Sequence, residues 1–252
     1  MSVAEKMTAI ANAIRNKTGK TDKLSLDEMA TEINEISTGE RDINPEWTDW
    51  NYFCKGRPDL VAKLKYSDTS KGTNFDSMFR SCSKLTTIPA IDTSNGTLFS
   101  YMFYGCEKLT TIPAIDTSNG TKFGYMFYSC EKLTTIPAID TSNGTKFEYM
   151  FGYCYELTTV PQLNLTEATS FGGIFTNCVA LVDLNIVGTI NVTGLNVQNS
   201  PLSHDSLMSI INALADKTGV SGTWKVTLGS TNLAKLTADE IAIAEGKGWT
   251  LA

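Results

Sequence analysis

The chain has 252 residues, 42% of them hydrophobic and 19% charged, with a net charge of −6. This suffices for one extended domain with small flanking pieces, and the acidic balance excludes bulk attraction to nucleic acid or to an anionic membrane. No stretch approaches the ~18–20 apolar residues of a membrane span. The opening residues, MSVAEKMTAIANAIRNKTG, lack the apolar core and cleavage site of a secretory signal, so cytoplasmic synthesis without general secretion is expected.

Residues 1–37 read as a helical segment. Met7, Ile10, Ala11 and Ile14 form one apolar stripe that ends at Lys17-Thr18-Gly19. Ser25 and Glu28 form a capping box opening a second helix, with Leu26, Met29, Ile33 and Ile36 at 3/4 spacing. Two such helices bury little alone, so docking to a partner or self-association is expected. Residues 38–50 read as a linker, and residues 51–74 as a degenerate N-terminal cap coil. In the latter Asp68, Thr69, Ser70, Gly72 and Thr73 match Asp92, Thr93, Ser94, Gly96 and Thr97, Leu64 matches Ile88, and Val61 matches Leu85.

Residues 51–194 are governed by a 24-residue period. Cys82, Cys106, Cys130, Cys154 and Cys178 mark it, and KLTTIPAIDTSNGT at Lys84–Thr97 recurs letter for letter at Lys108–Thr121 and Lys132–Thr145. A fixed period of this size predicts a solenoid whose coils contact only their neighbours. The coils run 75–98, 99–122, 123–146, 147–170 and 171–194. Phe99, Met102, Phe103 and Cys106 fall at i, i+3, i+4 and i+7, the spacing of about two helical turns. The expected core is therefore Met78, Phe79 and Cys82, Met102, Phe103 and Cys106, Met126, Phe127 and Cys130, with Cys154 and Cys178. Leu109, Ile112 and Ile115 suggest an extended run, with Pro113 where the ladder is incomplete. Asp116 to Thr121 is turn chemistry in which Asn-Gly would supply positive φ. Each coil thus reads as a short parallel strand, a turn and a short helix, strands stacking at about 4.8 Å.

The five periodic cysteines read as a column of buried thiols acting as small hydrophobes, with Cys54 off register. A metal site is not expected: there is no CxxC, and His204 is the only histidine. Residues 195–252 form a capping unit. Ser203 caps a helix with Leu207, Ile210, Ile211 and Leu214 ending near Gly219, Trp224, Val226 and Leu228 alternate as a strand, and Thr237 with Glu240 opens another helix. This unit would cover the open end of the stack.

The pattern Phe-x-x-Met-Phe-x-x-Cys-x-x-Leu followed by Asp-Thr-Ser resembles the BspA-type bacterial leucine-rich repeats over about 51–194. The resemblance implies an α/β repeat: a right-handed leucine-rich-repeat-like solenoid with a helical N-terminal piece and an α+β C-terminal cap. Family members are mostly bacterial surface proteins that bind host or matrix molecules. The segment AIRNKTGKTDKLSLDEMATEI is similar to the N-terminus of tail or baseplate proteins from phages and prophages of Gram-positive bacteria. The end, SPLSHDSLMSIINALAD with TLGSTNLAKLTADEIAIAEGKGWTLA, is similar to the C-terminal cap of repeat proteins from such phages. The resemblance implies a virion location, with residues 1–37 docked to other tail or baseplate proteins.

Candidate binding residues are those the repeat copies outward. On helical spacing, Tyr101 and Tyr104 oppose the apolar face and recur as Tyr125, Tyr128 and Tyr149, contacts suited to sugar rings or a protein surface. The bland alternative is a solvated ladder whose rings cover their neighbours. A second column, Thr87, Thr111 and Thr135 beside Thr86, Thr110 and Thr134, is either a binding face or plain β-propensity. Asp92, Asp116 and Asp140 form an acid column, either a cation site or, as the closeness of like charges favours, acceptors for turn amides. No paired carboxylates, P-loop or zinc motif appears, so no enzyme and no cofactor is expected. The expected function is a non-enzymatic tail or baseplate protein recognising a bacterial surface glycan or protein through the array. An architectural tail protein without a receptor and a cell-surface adhesin are the alternatives.

Overall fold

The computed structural model describes residues 48–62, 64 and 67–252. The expected helical segment 1–37 and the linker as far as residue 47 lie outside the described residues. The fold is mixed α/β with short elements: α1 (Pro58–Val61), β1 (Thr159–Asn164), β2 (Asp183–Val187), α2 (His204–Ala213), β3 (Lys225–Val226), α3 (Ser230–Leu233), α4 (Ala238–Gly246) and β4 (Thr250–Leu251). β1 pairs with β2, and β3 with β4, both in parallel.

The 24-residue period is carried by backbone pairing between successive units. Parallel bridges join Asn74 to Leu98, Leu98 to Lys122, Lys122 to Lys146 and Lys146 to Ser170. After each bridge comes a run of turns, where the sequence predicted a short helix. In the run 99–106, Met102 N–H donates to Phe99 C=O, Tyr104 N–H to Tyr101 C=O and Cys106 N–H to Phe103 C=O, all three residues back. The alternate amides leave the unit. Phe99, Tyr101, Phe103 and Gly105 donate to the carbonyls of Lys122, Gly124, Met126 and Tyr128 at 2.8 to 3.0 Å. Two residues per run have positive φ, which a helix forbids: Tyr101 at 58° and Gly105 at 68°, repeated at Tyr125 and Ser129 and at Tyr149 and Tyr153. The turns still return side chains to the core at i, i+3, i+4 and i+7, so the burial pattern matches the one predicted although the backbone does not.

The core is a set of columns. Phe79, Phe103, Phe127, Phe151 and Phe175 stack at 5.3 to 5.6 Å with planes 2 to 8° apart. Phe75, Phe99, Phe123 and Phe147 stack alongside at 5.5 to 5.8 Å. Met78, Met102 and Met126 are fully buried in the same core. All six cysteines are free and buried. Each periodic thiol donates to a carbonyl of the preceding unit, Cys106 to Phe79, Cys130 to Phe103, Cys154 to Phe127 and Cys178 to Phe151, at 3.0 to 3.1 Å. Burial pushes the Cys178 thiol up to about 12, and it raises Cys106, Cys130 and Cys154 as well.

The first unit enters the stack earlier than its sequence suggests. Trp50 is fully buried, its N–H donates to Asn74 C=O, and Asp49 bridges to Asn74. Cys82 Sγ donates to Cys54 C=O as Cys106 does to that of Phe79, so Cys54 stands in the phenylalanine column, 25 residues before Phe79. One extra residue in the first unit explains why Cys54 looks out of register.

The extended runs carry less backbone pairing than a continuous parallel sheet would. Among the described repeats the only paired strands are β1 and β2, and an isolated bridge links Thr135 to Thr159. The reason is proline. Leu184 and Ile186 donate towards α2, so by alternation Asp183, Asn185 and Val187 donate towards β1. Asn185 occupies the register held by Pro89, Pro113, Pro137 and Pro161 in earlier units, and those prolines have no N–H. Pro161 and Gln162 together oppose Asn185, a bulge in β1.

The hexapeptide DTSNGT then closes each unit. Asp116 Oδ1 accepts from the N–H of Ser118 at 2.9 Å, Thr117 Oγ1 donates to Asp140 C=O at 2.7 Å, and Asn119 Nδ2 donates to Ser94 C=O at 2.8 Å. The glycine does not supply positive φ. It is needed for space, because a Cβ at Gly120 would lie 2.4 Å from Phe123 Cζ.

In the C-terminal unit, Ser203 caps α2, whose Leu207, Ile210 and Ile211 are buried. The helix stops at Ala213, short of the expected Gly219, where Lys247 Nζ donates to the carbonyls of Ile211 and Asn212 at 3.1 and 2.9 Å. Two α2 serines meet the free edge of β2. Ser206 Oγ accepts from Leu184 N–H and donates to Val182 C=O, and Ser209 Oγ accepts from Ile186 N–H. An otherwise exposed edge is thereby satisfied by side chains. Thr237 and Glu240 form the predicted capping box on α4.

Candidate functional site

The turn runs that build the phenylalanine columns also project a tyrosine ladder. Positive φ at Tyr101, Tyr125 and Tyr149 directs each ring out of the unit, and the identical backbone of the next unit sets the rings in register. Tyr101 stacks on Tyr125 at 4.9 Å with planes 4° apart, and Tyr125 on Tyr149 at 5.2 Å. Tyr104 stacks on Tyr128 at 5.0 Å, and the two columns touch through Tyr101–Tyr104 at 5.8 Å and Tyr125–Tyr128 at 5.6 Å. All five tyrosines singled out by the sequence therefore form one cluster.

Two further tyrosines join it. Gly152 stands where the second column would place a third ring, and Tyr153 contacts Tyr128 instead at 5.1 Å. Tyr153 then meets Tyr155 edge-on at 6.1 Å. The first column ends on Gly173, where a Cβ would lie 2.5 Å from the Tyr149 ring. At the other end Arg80 closes both columns, its Cζ 5.1 Å from the Tyr101 centroid and 4.8 Å from that of Tyr104. The period itself contained this signal, because Arg80, Tyr104, Tyr128 and Gly152 share one register.

Stacking changes what the ladder presents. Ring faces lie against neighbouring rings, so the outward surface is made of ring edges and phenolic hydroxyls. Burial and the adjacent phenols raise the pKa of Tyr125 and of Tyr128, so both hydroxyls stay neutral and able to donate. Tyr149 and Tyr155 are the most exposed members, at 37% and 39%.

Thr87, Thr111 and Thr135 lie on the extended runs, separate from the tyrosines, and are exposed. Their neighbours are partly engaged within the stack: Thr110 Oγ1 donates to Thr86 C=O at 3.2 Å and Thr158 Oγ1 to Thr134 C=O at 3.1 Å. Turn amides lower the pKa of Asp116. His204 Nε2 lies 2.9 Å from Glu240 Oε1, joining α2 to α4. Among the described residues no group of three or more His, Cys, Asp or Glu is placed to hold a metal ion, and no helix is long and apolar enough to cross a membrane.

The fold and the outward ladder define a mixed α/β repeat protein. The chain belongs to the family described as Mycoplasma protein of unknown function, DUF285, whose model matches residues 22–136 and 73–186, together more than half of the sequence. No curated protein and no solved structure matches it.

Proposed function

We propose that this chain is a right-handed leucine-rich-repeat-like solenoid of the BspA type, serving as a non-enzymatic binding component of a phage tail or baseplate. In this reading the tyrosine ladder contacts a bacterial surface glycan or surface protein, and residues 1–37 dock to other tail proteins. The observation that carries the proposal is the ladder: seven tyrosines linked by ring contacts, whose edges and hydroxyls form one continuous outward surface. Each unit contributes a similar weak contact, so affinity rises with unit number. The 24-residue bridges and the resemblance of both ends to phage proteins support the reading.

Deleting residues 99–122 removes one period and joins Leu98 to Phe123, restoring equivalent contacts. The shortened chain should melt cooperatively yet bind host cells or purified wall measurably more weakly. Unchanged binding would move the site to the ends of the chain. Failure of the purified protein to compete with phage adsorption at saturation would favour an architectural role.

A further inference from the structure

Two cations head the tyrosine ladder. Lys55 Nζ sits 4.5 Å from the Tyr52 ring centroid, and Arg80 lies over Tyr101 and Tyr104. They occupy the same position in consecutive units. Gly56 N–H donates to Arg80 C=O at 2.8 Å, as Gly105 N–H does to Tyr128 C=O. Lys55, Arg80, Tyr104 and Tyr128 are thus one column, cationic at its head and phenolic behind.

Among the described residues neither cation makes an ion pair. Of the described acids near the first units, Asp59 pairs with Arg57 at 2.8 Å, Asp76 accepts the N–H of Ser100 at 2.6 Å, and Asp49 accepts that of Asn51 at 2.9 Å. A guanidinium stacked on rings keeps its in-plane donors available, in a fork that matches a carboxylate, phosphate or sulfate. Stacking also holds both side chains in place, so less freedom is lost when an anion binds. The whole chain carries −6, which makes two cations at one position of consecutive units, with no ion pair among the described residues, more notable than they would be in a basic protein.

We propose that Lys55 and Arg80 form an oxyanion subsite at the head of the ladder, and that the ligand of this face is a glycan bearing carboxylate, phosphate or sulfate groups. The inference rests on the reading of the ladder as the binding face. It selects a glycan over an acidic peptide because the two tyrosine columns behind the cations stack with ring centroids 4.9 to 5.2 Å apart, so edges and hydroxyls recur at every unit. A regular row of this kind suits a repeating, hydroxyl-rich chain.

The test uses the full chain with polygalacturonate, heparin, neutral dextran and poly-glutamate as immobilised probes. At least one acidic polysaccharide should retain the wild type, with retention falling as salt rises, and dextran should not. Arg80→Gln with Lys55→Gln should weaken that binding about tenfold or more, the scale of losing charge-assisted hydrogen bonds. Arg80→Lys, which keeps the charge and loses the fork, should fall between. Retention by no acidic polysaccharide, equal retention of the double variant, or a preference for poly-glutamate would each overturn the proposal. Purified Gram-positive cell wall separates this failure from that of the underlying reading. If Tyr125→Ala with Tyr128→Ala abolishes wall binding and the cation variant does not, the subsite is wrong and the ladder stands. If neither variant loses wall binding, the ladder itself is not the binding face.

Discussion

The turn run and the extended run of each unit solve the same stacking problem differently. In the turn run, alternate amides cross to the next unit, as from Phe99, Tyr101, Phe103 and Gly105, and stacked rings fill the space behind them. In the extended run, Pro89, Pro113 and Pro137 remove a donor, and the letter-identical repeats hold no assigned strand. The paired strands β1 and β2 occur in the last two units, where the extended runs depart from the letter-identical repeat. Sequence identity between repeats therefore does not track backbone regularity. What matters is whether each register offers the donor that its neighbour needs.

Removing a stacked ring should break this contrast most severely. Phe127 lies 5.4 Å from Phe103 and 5.5 Å from Phe151, so Phe127→Ala should cost about 3–5 kcal/mol in urea unfolding. Gly120→Ala drives a Cβ to 2.4 Å from Phe123 Cζ and should cost about 1–3 kcal/mol through overpacking. Gly105→Ala meets nothing nearer than 3.8 Å and should cost about 1–2 kcal/mol through its φ of 68° alone. Ser129→Gly, at the same position one unit later, should stabilise rather than destabilise.

Asn185→Pro would copy the proline of the earlier units into β2. It should cost about 1–3 kcal/mol and speed amide exchange at Val187, while the turn runs keep their protection. Unchanged exchange would refute the proline explanation. The smallest effect is that of Asp116. Its folded pKa is lowered by turn amides, so its contribution is present above the unfolded carboxylate pKa and disappears as pH falls through the folded one. Asp116→Asn should therefore lose a small amount of stability at neutral pH and converge on the wild type as pH falls below about 4, which flattens the acid limb of the stability profile.

The core was legible in the sequence. Spacing placed Met102, Phe103 and Cys106 inside, and they are fully buried. The same spacing predicted a helix that is absent, because consecutive turns return side chains to the core at the intervals a helix would. The distinguishing signal lay in the residues that accept positive φ, Gly56, Gly105, Gly173 and Asn177, which share two registers with serines and tyrosines. The Asn-Gly pairs pointed to left-handed turns, yet Gly120 is needed for room beneath Phe123, a contact that local turn rules do not register. The tyrosines were legible as an outward column, whereas the occupation of their faces by one another was not.

By itself the sequence determined the period, the residues that fill the core and the burial of the periodic cysteines, because hydrophobic spacing and repetition are local properties of the chain. Only the tertiary structure decided that turns replace helices and that pairing fails at the prolines. It alone placed Lys55 and Arg80 at one position of consecutive units, at the head of the tyrosines. Those outcomes depend on which amide meets which carbonyl one unit away, and on how closely neighbouring units approach, neither of which is written in any single repeat.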